Sequence, residues 1–309
     1  MTEGVSSGLR FLVAWTLAAL LTVAGCGSPV SHEDGTAEPE TIPLEGVRAE
    51  LVADVARVKP GEYFQVGVLF TIPDRSHIYW RNPGASGLPT GVEWKLAEDV
   101  EAGELLWPAP KRFEIEGWDE VSFGYESEVL LFAEVRVPET MTNTGPLSIV
   151  ARAYWLNCEE DGQCIPGDAE LQLEIPIDSE SRPSSDVARF EQARLRVPVP
   201  LDAGSLPVSI GLGDEASFVL VERDGARILP DGADGPDFFP YEGEAWTWGH
   251  DLSMDWRVTE SFPFVPPDDR RLFYFLPPDD GASRSGVLVF SVYREDSGTR
   301  ETFYISMEE

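Results

Sequence analysis

The sequence predicts an all-β protein built from sandwiched sheets, and three observations carry the prediction. Apolar residues alternate with polar ones at a period of two in several stretches. β-Branched and aromatic runs recur between turn residues. The 25 prolines and 28 glycines punctuate the chain too often for long helices. In order, Val47, Ala49, Leu51, Ala53 and Val55 alternate with more polar partners, and Lys59-Pro60-Gly61 forms a turn. The strand-like stretch EYFQVGVLFTI (62–72) follows. The runs at 129–137 (VLLFAEVRV) and 147–156 (LSIVARAYWL) read as further strands, and Leu171, Leu173, Ile175 and Ile177 alternate with Glu170, Gln172, Glu174 and Pro176. Short strands at such spacing suit a sandwich.

The polar stretch DSESRPSSD (178–186) reads as a boundary. DVARFEQARLRV after it predicts one short helix with Ser185 or Asp186 as N-cap. Strand-like segments then resume with SFVLVE, RLFYFL, GVLVFSVYR and ETFYIS. The reading is therefore two β domains, 45–180 and 187–309. The aromatics Phe238, Phe239, Tyr241, Trp246, Trp248 and Trp256 in the second suit core and interdomain packing, with a binding face as the alternative.

Twenty-three basic against 55 acidic side chains set the formal net charge at −32. That balance argues against nucleic acid, which needs clustered Lys and Arg. Glycine-flanked serine, phosphate-loop and His-Glu-x-x-His motifs are lacking, which removes support for hydrolase and nucleotide chemistry. The 42% hydrophobic content is enough for genuine cores.

Residues 11–24 (FLVAWTLAALLTVA) form an apolar run shorter than the roughly 18–20 residues of a spanning helix. Val23-Ala24-Gly25-Cys26 closes it and resembles the lipobox of bacterial lipoproteins. The resemblance implies a signal peptide over 1–25, a lipidated Cys26, and a flexible tether over 26–44 rich in Pro, Gly and acid. Gly27 after the cysteine favours the outer membrane. The expectation is a body tethered outside the cytoplasm.

Of three cysteines, Cys158 and Cys164 then remain. In an oxidising compartment two such neighbours form a disulfide, and Asp161-Gly162 between them is a hairpin turn signal. Their spacing is neither Cys-x-x-Cys nor a zinc pattern, so no metal site is read here. Spacing alone leaves a structural staple and a redox pair both open. The short loop would stabilise modestly. Glu159, Glu160 and Asp161 disfavour a nearby thiolate, which suits exchange that waits for a docked partner.

Four stretches, HIYWRNPGASGLPT (77–90), LLWPAPKRF (105–113), FGYESEVLL (123–131) and YWLNCEEDGQCIPG (154–167), resemble the periplasmic N-terminal domain of the thiol:disulfide interchange protein DsbD, and more closely its ScsB-type version linked to suppression of copper sensitivity. The resemblance implies immunoglobulin-like sandwiches, including a second β domain, and a redox-active Cys158–Cys164 pair. It implies that Cys164 forms the mixed disulfide and Cys158 resolves it. A cap loop would fall on 119–125, with Phe123 as the shielding ring, Tyr125 the runner-up and Asp119 beside them. The partners implied are thioredoxin-like periplasmic proteins and a membrane electron transporter, since the chain lacks the membrane and thioredoxin domains of DsbD proper. The activity implied is that of a protein-disulfide reductase component without a cofactor. The competing reading is a non-enzymatic binding lipoprotein with a structural disulfide. Direct copper binding ranks low, because the mature chain keeps only Met141, Met254 and Met307 and no Met cluster. His77, beside aromatics, reads as structural.

Overall fold

Period-two alternation becomes strands throughout the computed structural model, which describes residues 46–114, 120–141, 145–160, 163–200, 206–212, 218–222, 226–229, 237–245, 247–250, 272–276 and 285–307. The first half runs through Arg48–Ala53 (β1), Val55–Arg57 (β2), Tyr63–Thr71 (β3), Ser76–Gly84 (β4), Gly91–Lys95 (β5), Glu101–Ala102 (β6), Lys111–Glu114 (β7), Val121–Tyr125 (β8), Glu128–Arg136 (β9), Leu147–Glu159 (β10) and Cys164–Ile175 (β11). One sheet has the order β1-β3-β9-β6, and the facing sheet the order β11-β10-β4-β8-β7 with β5 also paired to β10. The first contributes Val68, Phe70, Val129 and Leu131 to the shared core, the second Ile78, Trp80, Phe123, Ala151 and Ala153. Two antiparallel sheets closed face to face on alternating inward residues make this half an immunoglobulin-like sandwich.

The second half comprises Arg182–Pro183 (β12), the helix Val187–Arg194 (α1), Val199–Pro200 (β13), Val208–Leu212 (β14), Phe218–Glu222 (β15), Ala226–Ile228 (β16), Asp237–Pro240 (β17), Thr247–His250 (β18), Leu272–Leu276 (β19), Gly286–Arg294 (β20) and Thr299–Met307 (β21). Its two sheets have the orders β13-β21-β20-β16, with β17 on β20, and β14-β15-β19-β18. Val208 and Leu220 from one meet Leu288, Phe290, Val292 and Ile305 from the other. The all-β expectation is borne out. The helix also forms where the sequence places it, with Asp186 at the N-cap position but without a side-chain cap bond. Phe190 of α1 packs on Leu69, Leu130 and Phe132, so the outer face of β3 and β9 is covered. That cover explains why β3 is a buried run rather than a clean alternation.

The two halves share buried contacts. Phe239, Val287 and Val289 join the core of the first sandwich. Arg112 on β7 makes a two-pronged ion pair with Asp237 on β17, both contacts 2.9 Å. Asn82 Nδ2 donates to the carbonyls of Pro240 and Gly243 at 2.8 and 3.1 Å. Of the aromatic stretch in the second half, Phe238 and Phe239 are buried and Tyr241 packs on Trp80. The side chains of Trp246, Trp248 and Trp256 lie outside the described residues. Among the described residues no helix is long and apolar enough to cross a membrane.

Candidate functional site

The longest hairpin positions the two cysteines. Strands β10 and β11 pair antiparallel from Leu147 opposite Ile175 to the last rung, Cys158 opposite Cys164. Directly opposed residues on such a ladder place their Cβ atoms about 4.5–5.5 Å apart, so a small inward movement brings them to the roughly 3.5–4.5 Å that a bridge spans. The disulfide is formed, with Cα atoms 4.0 Å apart. The disulfide expected from the cysteine count is thus present, while the Asp161-Gly162 turn lies outside the described residues. Gly167 belongs to the same construction, because a Cβ there would lie 2.4 Å from the Trp155 ring that crosses it.

The two sulfurs sit in different surroundings. On its other side β10 pairs with β4, Cys158 facing His77, so Cys158 is inside the sheet and only 3% exposed. Cys164 begins the edge strand β11 and is exposed. A thiolate attacks a disulfide through one sulfur and expels the other. Here the reachable sulfur is that of Cys164 and the expelled one that of Cys158.

An aromatic side chain of β4 reaches the buried sulfur, and others from β4 and β7 pack behind it. Tyr79 is buried, and its hydroxyl donates to Cys158 Sγ at 3.1 Å. Burial raises the Tyr79 pKa, so the phenol remains a donor. His77 meets Tyr79 edge-on at 5.1 Å and stacks on Phe113 at 4.5 Å. Burial lowers the His77 pKa against the opposing pull of Glu126 and Glu160. Gly87, at φ +104°, passes over Tyr79 where a Cβ would lie 2.2 Å from the ring. At the hairpin end Glu160 N–H donates to the Arg75 carbonyl at 3.0 Å, and their side chains form an exposed ion pair. Such a pair adds little stability but fixes charge near the exit of the hairpin.

The proposed shield residues occupy the other face of this sheet. Phe123 is fully buried in the core and meets Phe239 edge-on at 5.4 Å. Tyr125 is buried too and donates to the Pro108 carbonyl at 2.7 Å. Both share the core with Ile78 and Trp80, whereas Tyr79, one residue out of phase, reaches Cys158. The pleat alternates faces residue by residue, so the ring that reaches the sulfur is that of Tyr79, with His77 edge-on against it and Phe113 stacked on His77. Asp119 and Cys26 lie outside the described residues. The sequence reading passed over Tyr79 and Phe113. The signal for Tyr79 was present in His77-Ile78-Tyr79-Trp80, whose alternation separates a core pair from an outward pair. Among the described residues no group of three or more His, Cys, Asp or Glu side chains could hold a metal ion.

An all-β sandwich with a disulfide at the turn end of a hairpin is the class of domain that fold and site define. Residues 48–176 match the family model of the N-terminal region of the thiol:disulfide interchange protein DsbD. Over that span, less than half of the 309 residues, the chain is similar to this family of thiol:disulfide exchange proteins. Among solved structures, the N-terminal periplasmic domain of ScsB from Proteus mirabilis is similar at 16% identity and a TM-score of 0.45, covering 85% of this chain and 94% of that one. BcpA, the major pilin subunit of Bacillus cereus, is similar at 9% identity and a TM-score of 0.25, covering 85% of this chain and 67% of that one. Both scores are too low to transfer a function. No curated protein sequence matches the chain.

Proposed function

We propose that the chain is a lipid-anchored periplasmic thiol:disulfide exchange protein in which Cys158 and Cys164 carry reducing equivalents to envelope client proteins. The observation that carries this reading is the asymmetry of the pair, with Cys164 exposed on an edge strand and Cys158 3% exposed within the sheet. In one half-cycle a partner thiolate attacks Cys164 Sγ, a mixed disulfide forms there, and the electron pair of the broken bond goes to Cys158. The partner's second thiolate then attacks its own linked sulfur, leaving the chain as a dithiol and the partner oxidised. Toward a client disulfide the Cys164 thiolate attacks first, and Cys158 then displaces the client from Cys164. The donor in this reading is a thioredoxin-like periplasmic protein charged by a membrane electron transporter, and Cys26 holds the protein at the outer membrane.

The test is a trapping experiment on Cys158→Ala. With the resolving thiol gone, the Cys164 thiol should accumulate a mixed disulfide with an oxidised thioredoxin-fold protein, and Cys164→Ala should accumulate far less. No adduct, together with a wild-type disulfide that resists reduced thioredoxin, would leave the structural-staple reading in its place.

A further inference from the structure

We infer that Tyr79 is a catalytic residue of the exchange reaction: its hydroxyl stabilises the thiolate expelled onto Cys158 and so directs incoming thiols to Cys164. The inference rests on the exchange reading above and deepens it. The Tyr79 hydroxyl lies 3.1 Å from Cys158 Sγ and points its proton at that sulfur. A disulfide sulfur is a weak acceptor and a thiolate a strong one, so the bond strengthens as the S–S bond breaks. Interactions that grow toward the transition state accelerate a reaction, whereas those equal in the ground state do not.

The position requires such a group. A thiolate at Cys158 is 3% exposed and therefore lacks most of its hydration. Glu159 follows it directly, and the side chain of Glu160 is held at the same hairpin end by Arg75. Desolvation and like charge both oppose the anion, and a buried phenol donor offsets them without adding charge. The donor is also pre-positioned. The Tyr79 ring is confined by Gly87 above it and by His77 edge-on at 5.1 Å. At Cys164 water can solvate a thiolate, so the exposed thiol needs no counterpart. In the return half-cycle the same hydrogen bond enlarges the thiolate fraction of Cys158 at neutral pH. The accompanying loss of nucleophilicity is smaller, because it follows thiol pKa with a coefficient of about 0.4–0.5.

The step balances without any added reagent. Dithiothreitol thiolate attacks Cys164 Sγ, the Cys158–Cys164 bond breaks, and Cys158 receives the electron pair under the Tyr79 hydroxyl. The second thiol of the reagent then closes its ring and releases Cys164 as a thiol. The experiment compares the full chain with Tyr79→Phe by the rate of this reduction between pH 6 and 9. It also measures the Cys158 thiol pKa by alkylation in a Cys164→Ala background. Tyr79→Phe should slow reduction about tenfold and raise the Cys158 pKa by about one unit, the size expected for one hydrogen bond to a charged group. Replacing Tyr79 by 3-fluorotyrosine, a stronger donor of nearly the same shape, should move both readouts the opposite way. Rates within twofold and an unchanged Cys158 pKa in both variants would overturn the inference, as would a loss of thermal stability alone. Dithiothreitol needs no protein docking. Failure of the wild-type chain to exchange with thioredoxin would count against the functional reading only.

Discussion

Removing the Asp237 carboxylate tests how the second β half holds β7, the strand whose Phe113 stacks on His77. Arg112 Nε and Nη2 each lie 2.9 Å from a different Asp237 oxygen. The two side chains are only 17% and 15% exposed. Burial works against the Arg112 charge, and the hydrogen bonds and charge of Asp237 outweigh it. Asp237 Oδ1 also accepts the Phe238 N–H at 2.8 Å. Asp237→Ala would remove two hydrogen bonds and the facing carboxylate from a mostly buried guanidinium, and removing one partner of a buried ion pair costs about 3–5 kcal/mol. At roughly 2–4 °C per kcal/mol for a body of this size, the melting temperature should fall by about 6–20 °C. The pair's net contribution is much smaller than that penalty, because both ions gave up hydration to form it. Arg112→Met combined with Asp237→Leu should therefore recover most of the loss. Urea titrations of the single and double variants measure the difference. A single variant within about 0.5 kcal/mol of wild type, or a double variant no more stable than the single, would refute the reasoning.

Gly87→Ala would place a methyl 2.2 Å from Tyr79 and force the ring to move by more than 1 Å to restore contact distance. It should slow dithiothreitol reduction about as much as Tyr79→Phe, and an unaffected rate would show that the ring is not held from that side. Phe190→Ala, which uncovers Leu69, Leu130 and Phe132, should cost about 3–5 kcal/mol in a urea titration while leaving disulfide reduction unchanged. His77 has a depressed folded pKa, so the unfolded chain binds its proton more readily. Its contribution is complete above the unfolded value of about 6.5 and is lost as pH falls through the folded value. Wild type should therefore lose stability below about pH 6.5 more steeply than His77→Phe, and parallel pH profiles would contradict this.

Much of the architecture was legible because strand periodicity is local. The apolar alternation from Val47 onward becomes β1 and β2, and the runs at 129–137 and 147–156 match β9 and β10 with ends shifted by one to three residues. The helix at 187–194 follows its polar boundary as expected. Strands β4, β7 and β8 were less visible, since their sequences mix aromatics, charges and glycines on two buried or half-buried faces. The pairing of Cys158 with Cys164 was legible too, because the residues between them, 159–163, are few and carry an Asp-Gly turn signal, and the strands on either side pair with the two cysteines opposed.

The sequence by itself determined the β class, the helix after the 178–186 boundary and the identity of the two cysteines that meet. The tertiary structure decided which sulfur is reachable and what touches the other. Those facts depend on the register of β10 against β4, which brings Cys158 to His77 and to a tyrosine 79 residues away in the chain. A shift of one residue would turn Tyr79 into the core and Trp80 toward the sulfur. It was likewise tertiary packing against Phe239 that took Phe123 into the core. Alternation along a strand is written in neighbouring residues. The register between strands far apart in the chain is set by how whole faces fit together once folded.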